Sequence, residues 1–471
     1  MTVRPPSPPR RVLAVLVVAL AAMAAACTPG GSDNDKSSSS GPVTLKLQAN
    51  AVKGGKNATE ASWLQDWVIP NFQKMMADQG KQVTVQYAGT GADDEDVKTQ
   101  LALDLRTGGG PDVFTPDGPW VGEFAQAGFL KPLDEVVGSE VNDWDGWSQI
   151  PRPVTGIVEF EGKRYGIPVG TDGRVLFFNK KLFARAGLPT NWQPKSWDEV
   201  LQAGRQLKAR LPGVTPIQIN AGTAMGEATT AQGFIPLLYG TGKNLMEGGK
   251  WLGDTPETQA VLGFYQQLYG QDLGDARLQL RADGRDRSFA QFADDKIAVL
   301  LEGDYFWRSV INPDGGLAPM KDRDQAVGWA LIPARQPGGG LNGQDFVSLS
   351  GGAGRVINPN TKAPKEAWEL LKFLNSKEAL TNWVQREPRI TSRTDVNQAN
   401  LKDPLLSFIS QRVLPITATR PGSAVYPQVS LAIQTATENV AAGRSDASEA
   451  AGRLGAAIAK AVGADNVTGA S

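Results

Sequence analysis

The sequence predicts an α/β protein built as two lobes. From residue 43 to the C terminus, short apolar strands alternate with amphipathic helices, a pattern typical of sheets covered by helices. About 430 residues follow residue 42. Because single hydrophobic cores stop growing beyond about 250–300 residues, this length predicts two lobes rather than one.

The first 26 residues have the features of an export signal. Three arginines precede an apolar run over residues 12–23, which is too short to span a bilayer as a stable anchor. Small residues then lead to Cys27, an arrangement that resembles the bacterial lipoprotein signal, in which the new N-terminal cysteine is acylated. We therefore predict a signal peptide over residues 1–26, lipidation of Cys27 and a flexible tether over 27–42. A lone thiol within an ordinary secretory signal is the alternative.

The composition excludes several kinds of chemistry. The chain contains no histidine, which removes Ser-His-Asp and Cys-His constellations and histidine metal ligands. Cys27 is the single cysteine, so an internal disulfide and a multi-cysteine metal site are excluded as well. We expect no catalytic residue, no metal and no cofactor, although a carboxylate pair would still allow a glycoside hydrolase.

The charge balance argues against a nucleic-acid partner. The chain carries 48 basic and 49 acidic side chains, and the predicted signal peptide removes three arginines and no acid, so the mature chain is acidic by four charges. No basic block stands out, whereas nucleic-acid-binding proteins concentrate basic residues on one surface.

The first predicted elements alternate as the fold class requires. They are a strand over 43–48, a helix over 60–78 bent at Pro70, a strand over 83–87, a helix over 93–106 and a strand over 111–114. On the second helix Val97, Leu101 and Leu105 stand four residues apart, which places them on one face, and the glycines that follow end the helix.

Later helices have clear start signals. Ser196 and Glu199 form a capping box, and Thr255 precedes a proline at the first helical position of another helix. The segment from Ser430 to Val462 predicts two helices separated at Gly443.

Five groups of segments carry a resemblance to a known family. They are 110–114 with Trp120 and 128–134; 162–169 with 176–180 and 182–183; 196–199; 292–300 with Gly303 and Trp307; and Gly351-Gly352 with 367–368, 373–374, 420–421 and Tyr426. In this order they resemble the extracellular solute-binding proteins of ATP-binding-cassette sugar importers, the group that includes maltose-binding and trehalose/maltose-binding proteins.

The resemblance implies a two-lobed, periplasmic-binding-protein-like fold of type II. Each lobe would be a sheet flanked by helices, and the chain would cross between the lobes three times around a ligand cleft. We place the crossings near 170–175, 302–304 and 347–352. The lobes would then be residues 43–172 with 304–348, and residues 173–303 with 349–471.

The resemblance also implies a function. The protein would be a monomer held on the outer face of the cell membrane through Cys27 alone, without a membrane-spanning segment. It would bind a di- or oligosaccharide and deliver it to the membrane permease subunits of an importer, without chemistry of its own. A receptor for a glycerol-phosphate diester or a peptide, or a secreted glycoside hydrolase, is the alternative.

Candidate ligand contacts combine planar hydrogen-bonding groups with aromatic faces, as a sugar requires. Polar loops at the carboxyl ends of strands favour such sites in α/β sheets, and related sugar receptors reach their ligand from the loop before the last helices. The candidates are Glu60, Trp63, Asp117, Trp120, Asp172, Arg174, Asp304, Tyr305, Trp307, Arg420 and Tyr426.

Some of these candidates have a structural alternative. Trp63 also suits a hydrophobic core, Trp120 also suits packing on Phe124, and Asp172 with Arg174 also suits an interlobe salt bridge. Residues 305–307 are three consecutive aromatics, and we expect at least one to face the ligand because they cannot all enter one core. The remaining singled-out tryptophans, Trp197, Trp368 and Trp383, are assigned to packing.

Overall fold

The computed structural model describes residues 41–54, 57–92, 94–314 and 316–469 of the chain. The predicted signal peptide, Cys27 and the tether up to residue 40 lie outside the described residues. Among the described helices, none has both the length and the apolar character needed to span a bilayer.

Strands and helices alternate along the described chain. The strands are β1 (Val43–Ala49), β2 (Val83–Gly89), β3 (Val113–Phe114), β4 (Glu159–Phe160), β5 (Lys163–Arg164), β6 (Gly166–Pro168), β7 (Arg174–Asn179), β8 (Thr215–Gln218), β9 (Met246–Glu247), β10 (Lys250–Leu252), β11 (Ile297–Gly303), β12 (Val327–Ala330), β13 (Ile332–Pro333), β14 (Phe346–Ser350), β15 (Gly354–Ile357), β16 (Thr417–Thr419) and β17 (Val467–Thr468).

The helices are α1 (Ala58–Trp63), α2 (Ile69–Asp78), α3 (Asp94–Arg106), α4 (Gly118–Gln126), α5 (Leu133–Val136), α6 (Arg152–Thr155), α7 (Lys180–Ala186), α8 (Trp197–Arg210), α9 (Glu227–Thr229), α10 (Ile235–Tyr239), α11 (Pro256–Gly270), α12 (Ala276–Gln279), α13 (Gly284–Ala293), α14 (Arg323–Ala326), α15 (Pro364–Leu374), α16 (Lys377–Arg386), α17 (Thr394–Asn400), α18 (Pro404–Phe408), α19 (Tyr426–Ala441) and α20 (Ala447–Val462).

The first lobe is built on a sheet with the strand order β2-β1-β3-β15-β6. Strand β1 runs parallel to β2 and β3, and β15 runs antiparallel to β3 and β6. Leu45, Leu47 and Ala49 alternate with more exposed residues along β1, so one face of the strand is apolar and is covered by helices. Helices α1, α2, α15 and α16 pack on this side, and α3 and α4 contribute to a separate cluster around Phe114.

The second lobe contains a sheet with the order β12-β7-β11-β8 and a smaller sheet with the order β13-β14-β16. Every residue of β7 is buried, as expected for a central strand covered on both faces. Helix α8 packs against β8, and α11, α19 and α20 pack on one another.

Local start and stop signals behave as the sequence predicts. The Ser196 Oγ accepts a hydrogen bond from the Glu199 N–H at 3.3 Å, and Thr255 caps α11 in the same way. Helices α19 and α20 separate at Gly443, which has φ 68°, although α19 begins at Tyr426, four residues earlier than predicted. A wide π-type turn at Leu64–Val68 joins α1 to α2 just before Pro70.

The strand pairing corrects the predicted division into lobes. Strand β15 pairs with β3 and β6 and so belongs to the first lobe, whereas the prediction placed 349–471 in the second. Strand β12 pairs with β7 in the second lobe, whereas 304–348 was predicted for the first. The physical reason is that the chain does not cross after β11: it turns through Phe306–Val310 and returns to the same sheet. Crossings do occur between β6 and β7 and between β14 and β15, where two were predicted.

Candidate functional site

A cavity of about 510 Å³ lies at the boundary between the two lobes. Residues of α4 line one side, and residues of α9, α19 and the turn after α9 line the other. Another groove, of about 640 Å³, lies beside β1, β2 and α3 and belongs to the first lobe alone. Because ligand sites occur preferentially at domain interfaces, we take the interlobe cavity as the candidate site.

The start of α4 positions the first-lobe wall. Asp117 precedes the helix in an extended conformation, with φ −64° and ψ 149°, and Pro119 lies in the first turn, where its missing N–H leaves no bond unmade. Trp120 also lies in this turn, half-buried, with its ring centroid 6.5 Å from that of Phe124. The indole therefore packs on Phe124 and lines the cavity at the same time.

The Glu227 carboxylate organises the second-lobe wall. It accepts hydrogen bonds from Arg420 Nη1 at 2.7 Å, from Ser430 Oγ at 2.5 Å and from the Tyr426 hydroxyl. Burial, and then the charge of Glu227, raise the pKa of Tyr426 well above its ordinary value. The hydroxyl therefore stays protonated and donates a hydrogen bond to the carboxylate.

Arg420 connects the two lobes. Its Nη1 binds Glu227 of the second lobe, and its Nη2 lies 3.6 Å from Asp117 Oδ2 of the first. Burial alone would lower the pKa of Arg420, but Tyr426, Asp117 and Glu227 together outweigh this and hold it above its ordinary value. The guanidinium is therefore a fixed positive charge between two carboxylates.

Two further arginines line the cavity, each tied to a carboxylate. Arg174 Nη1 donates to Asp172 Oδ1 and, at 3.2 Å, to the Leu349 carbonyl. Arg285 makes a two-point pair with Glu302, at 3.1 and 2.9 Å. Burial lowers the pKa of Arg285, but Glu302 outweighs it and the net shift is upward. Such two-point pairs fix the guanidinium plane as well as its charge.

All the arginine and lysine side chains that line the cavity have a carboxylate partner among the described residues. Besides the three arginines above, Lys98 Nζ lies 2.7 Å from Glu123 Oε2. The cavity is therefore strongly polar but carries no surplus of positive charge.

Two polar atoms of lining residues are buried without a hydrogen-bond partner among the described residues. They are the Arg174 Nε donor and the Gln232 Oε1 acceptor. Gln232 lies in a π-type turn, with φ −111° and ψ 23°, and irregular turns of this kind occur often at functional sites. A buried polar group costs free energy unless it is paired, so both atoms favour a polar ligand.

Several predicted site residues come together in this cavity. Those that line it are Asp117, Trp120, Arg174, Arg420 and Tyr426. Tyr426 was predicted in a loop but is the first residue of α19. Asp172 does not line the cavity; it holds Arg174 and accepts a hydrogen bond from the Gly351 N–H at 2.6 Å. The ion pair joins two residues of the crossing on either side of Gly173; an interlobe salt bridge was the alternative that the sequence offered for them.

Glu60 and Trp63 lie elsewhere. Trp63 is 0% exposed and stacks on Trp383, with ring centroids 4.4 Å apart and planes within 7°. It is therefore a core residue, which was the alternative given for it from the sequence. Glu60 Oε1 lies 3.7 Å from Arg355 Nη2, beneath the surface of the first lobe. The predicted packing roles of Trp197, Trp368 and Trp383 agree with their burial.

The predicted cluster at 304–307 also lies outside the cavity wall. Asp304 is buried and binds Arg308 at 3.2 Å, the Tyr305 hydroxyl donates to Glu302 at 3.2 Å, and Trp307 Nε1 donates to Asp403 at 2.9 Å. The expectation that one of the aromatics faces the cavity is not met, because the π-type turn at 306–310 sends Phe306 and Trp307 into different parts of the core.

Asp304 is the most perturbed carboxyl group at this boundary. Burial raises its pKa, Arg308 lowers it, Asp172 raises it and Arg174 lowers it, and the net result is a pKa of about 6. The Asp304 N–H donates a hydrogen bond to the Gly173 carbonyl at 3.2 Å. Asp304 therefore lies beside the crossing between β6 and β7.

Sequence reasoning missed two thirds of the polar residues in the cavity wall. The missed polar residues are Lys98, Glu123, Glu227, Gln232, Arg285, Ser423, Ser430 and Gln434. One signal was present: Tyr426, Ser430 and Gln434 stand four apart, which places them on one face of α19. The others come from separate elements whose association no spacing encodes. Among the described residues, no group of three or more histidine, cysteine or acidic side chains forms a metal site.

Comparisons with known proteins agree with this architecture. An ATP-binding-cassette transporter solute-binding protein from Thermotoga lettingae TMO, bound with α-D-tagatose, superposes with a TM-score of 0.67 at 25% identity, over 89% of this chain and 99% of that one. A protein of Brucella abortus (strain 2308) described as a binding protein is 23% identical over 294 residues, which are 61% of this chain and 64% of the relative. The chain thus matches less than two thirds of that relative's length.

A shorter match has a different ligand in its name. The sn-glycerol-3-phosphate-binding periplasmic protein UgpB of the same organism is 31% identical over 85 residues, 18% of this chain and 20% of that protein. The model of the family described as bacterial extracellular solute-binding protein matches residues 55–381. With its two lobes and the cavity between them, this chain belongs to the bacterial extracellular solute-binding proteins.

Proposed function

We propose that this protein is a receptor that captures a neutral sugar between its lobes and delivers it to the permease subunits of an ATP-binding-cassette importer. Lipidation of Cys27 would hold it on the outer face of the cell membrane, and the tether over 27–42 would let the lobes reach the importer. The receptor performs no chemistry.

One observation carries the proposal: the cavity wall combines an aromatic face with hydrogen-bonding groups, and each of its cations is already paired with a carboxylate. Trp120 offers the face that the C–H side of a sugar ring requires. Arg174 Nε and Gln232 Oε1 offer an unpaired donor and an unpaired acceptor, which suit hydroxyl groups because each hydroxyl both donates and accepts. The sugar-bound solute receptor that superposes on this chain supports the same class of ligand.

A phosphate-bearing ligand fits the cavity less well. Recognition of a phosphate requires a cation or a helix N-terminus with charge to spare. Each lining cation already has a carboxylate partner, Arg420 having two. A phosphate that binds one of these cations would therefore compete with its carboxylate, which makes the glycerol-phosphate receptor the second candidate in spite of the partial match to such a receptor.

A glycoside hydrolase is also disfavoured. Such enzymes need one carboxyl group that donates a proton and a second that acts as base or nucleophile. In the cavity, Glu227 accepts hydrogen bonds from Arg420, Tyr426 and Ser430, and Glu123 is paired with Lys98. These carboxylates hold the wall together instead of facing a reacting bond.

A thermal-shift screen tests the proposal. Purified protein is heated with mono-, di- and trisaccharides, with polyols and peptides, and with sn-glycerol 3-phosphate and its diesters. We expect at least one neutral sugar to raise the melting temperature, because a ligand that binds only the folded state stabilises it in proportion to the logarithm of its concentration. Stabilisation by a phosphate ester alone would favour the second candidate, and hydrolysis of an aryl glycoside would contradict the receptor function.

A further inference from the structure

One arginine of the cavity wall has a nitrogen that the rest of the protein does not use. Arg285, the second residue of α13, lines the cavity, and its side chain is 27% exposed. Its Nε and Nη2 donate to the Glu302 carboxylate at 3.1 and 2.9 Å. A guanidinium carries five N–H donors, and the two on Nη1 have no hydrogen-bond partner among the described residues. Arg285 is therefore a wall residue with N–H donors to spare.

The carboxylate behind this guanidinium is itself held in place. Glu302 is 1% exposed, lies near the end of β11 and does not line the cavity. Besides Arg285, it accepts hydrogen bonds from Asn220 Nδ2 at 2.9 Å and from the Tyr305 hydroxyl at 3.2 Å. Both of its oxygens are thus occupied. Because a two-point pair fixes the plane of a guanidinium, an anchored carboxylate also fixes the direction of Nη1.

Strand pairing explains why Asn220 and Glu302 meet. Strand β11 runs parallel to β8, with Leu300 opposite Gln218. Two residues further along each chain come Glu302 and Asn220, and side chains two residues apart on a strand point to the same face. The amide and the carboxylate therefore continue the register of the sheet by one step, which makes their contact a consequence of the fold.

Two aromatic rings further restrict the guanidinium. The Arg285 Cζ lies 5.4 Å from the ring centroid of Phe289 and 5.1 Å from that of Tyr305. These two rings contact each other edge to face, with centroids 6.2 Å apart. Arginine is attracted to the faces of aromatic rings, so the rings and the carboxylate together leave Arg285 little freedom to turn.

The pairing leaves Arg285 with hydrogen-bonding capacity but without an unmatched charge. The Glu302 carboxylate matches the guanidinium charge, and the N–H groups of Nη1 remain available. The oxygen of a neutral hydroxyl group can accept from them, and hydrogen bonds from a charged donor are stronger than those between neutral groups. Arg174 Nε is a second unpaired donor of the wall, and Gln232 Oε1 is an unpaired acceptor. Sugar hydroxyls, which both donate and accept, suit all three atoms.

We propose that Arg285 Nη1 donates a hydrogen bond to a hydroxyl oxygen of the bound sugar and that Glu302 is the residue that positions it. Asn220 and Tyr305 hold Glu302 in turn. The inference rests on the proposed sugar-binding function and names a contact within it. Glu302 touches no ligand and acts through Arg285 alone, so its effect on binding requires the arginine to be present.

The contact and the positioning role are tested by calorimetric titration of four chains: the wild type, Arg285→Ala, Glu302→Gln and the double variant. The sugars are D-tagatose, maltose and any other neutral sugar that raises the melting temperature of the wild type. We expect Arg285→Ala to weaken binding at least tenfold and Glu302→Gln at least threefold. The double variant should bind as Arg285→Ala does, within twofold, because two residues that act as one unit are not additive.

Arg287→Ala is the matched control. Arg287 also lies on α13 and is paired with a carboxylate, Asp283, at 2.6 Å, but it does not line the cavity. We expect this variant to bind sugar as the wild type does. If Glu302→Gln does not fold, Tyr305→Phe replaces it, since this change removes only the hydroxyl that donates to Glu302. It should weaken binding by a smaller factor, and only when Arg285 is present.

The outcomes separate this inference from the proposed function. Unchanged affinity in Arg285→Ala would overturn the contact, although the chain would still be a sugar receptor. If Glu302→Gln weakens binding by the same factor with and without Arg285, Glu302 only supports the wall and the positioning role is overturned. If the wild type binds none of the sugars, the proposed function fails and the contact fails with it.

Discussion

At the scale of single residues, burial decides which charged groups hold the boundary between the lobes together. Asp304 is 1% exposed and faces Arg308, Arg174 and Asp172. Its raised pKa means that burial destabilises the ionised form by more than Arg308 and Arg174 stabilise it. This carboxyl group therefore weakens the folded state at neutral pH, a cost that is tolerated beside the crossing between β6 and β7.

This raised pKa predicts the pH dependence of stability. The folded protein holds the Asp304 proton more tightly than the unfolded chain, with a pKa of about 6 against 3.8. The contribution of Asp304 to the free energy of unfolding therefore falls as the pH rises from about 4 to about 6 and is constant above that.

The variant Asp304→Asn isolates this effect, because asparagine stays neutral. Relative to the wild type, its melting temperature should rise between pH 4 and pH 6 and then level off, as measured by scanning calorimetry at matched ionic strength. A difference that moves in the opposite direction would mean that Arg308 stabilises the ionised form and that the pKa of Asp304 is lowered.

Some of the candidate site residues lie at the cavity, and they remain predictions as ligand contacts. Asp117 and Trp120 follow β3 directly, and Arg420 and Tyr426 come from the segment before Ser430 that was expected to reach the ligand. Glu227 could not be predicted, because its partners lie about 200 residues away, on α19 and in the loop before it. For Trp63 the sequence could not distinguish a ligand contact from a core residue, because the spacing of residues on a helix face is the same in both cases.

At the scale of elements, the first turn of α8 is capped by side-chain hydrogen bonds that the sequence pattern predicts. Ser196 accepts from the Glu199 N–H, and Glu199 Oε2 accepts from the Lys195 N–H at 2.8 Å. The same serine geometry starts α16, where Ser376 accepts from the Ala379 N–H at 3.2 Å. Such caps satisfy donors that the first turn leaves unpaired.

Removal of either cap should lower stability without affecting ligand binding. We expect Ser196→Ala and Ser376→Ala each to reduce the free energy of unfolding by about 1 kcal/mol, measured by urea denaturation. Neither serine lines the cavity, so the sugar affinity should not change. If neither variant lowers the free energy of unfolding, the N–H groups of the first turns must form hydrogen bonds with other partners.

Element identities followed from the sequence, but the partners of the strands did not. The ends of β1, α3, α8 and α11 can be predicted from the residues nearby, because caps and apolar spacing are local features of the sequence. The choice between β12 and β15 as neighbours of the first sheet depends on pairing between strands that are distant in the chain. The expected crossing at 302–304 was wrong for this reason, although its glycine and aromatic residues suited a hinge.

At the scale of the whole molecule, the two lobes, the cavity between them and the Arg420 bridge are the features on which the proposed receptor function rests. A ligand stabilises closure only through contacts that it makes better in the closed form. Trp120 on the first lobe and Gln232 on the second are positioned to supply such contacts from both sides. Each cation of the wall is paired with a carboxylate, which suits a neutral ligand.

The most direct test is calorimetric titration of the sugar with the largest stabilising effect against the wild type, Trp120→Ala and Trp144→Ala. Trp144 is also half-buried and packs against Trp147 and Trp368, away from the cavity, so it is the matched control. We predict that Trp120→Ala weakens binding by about tenfold or more, or ~1.4 kcal/mol, and that Trp144→Ala binds as the wild type does. Unchanged affinity in Trp120→Ala would contradict a sugar site in the interlobe cavity.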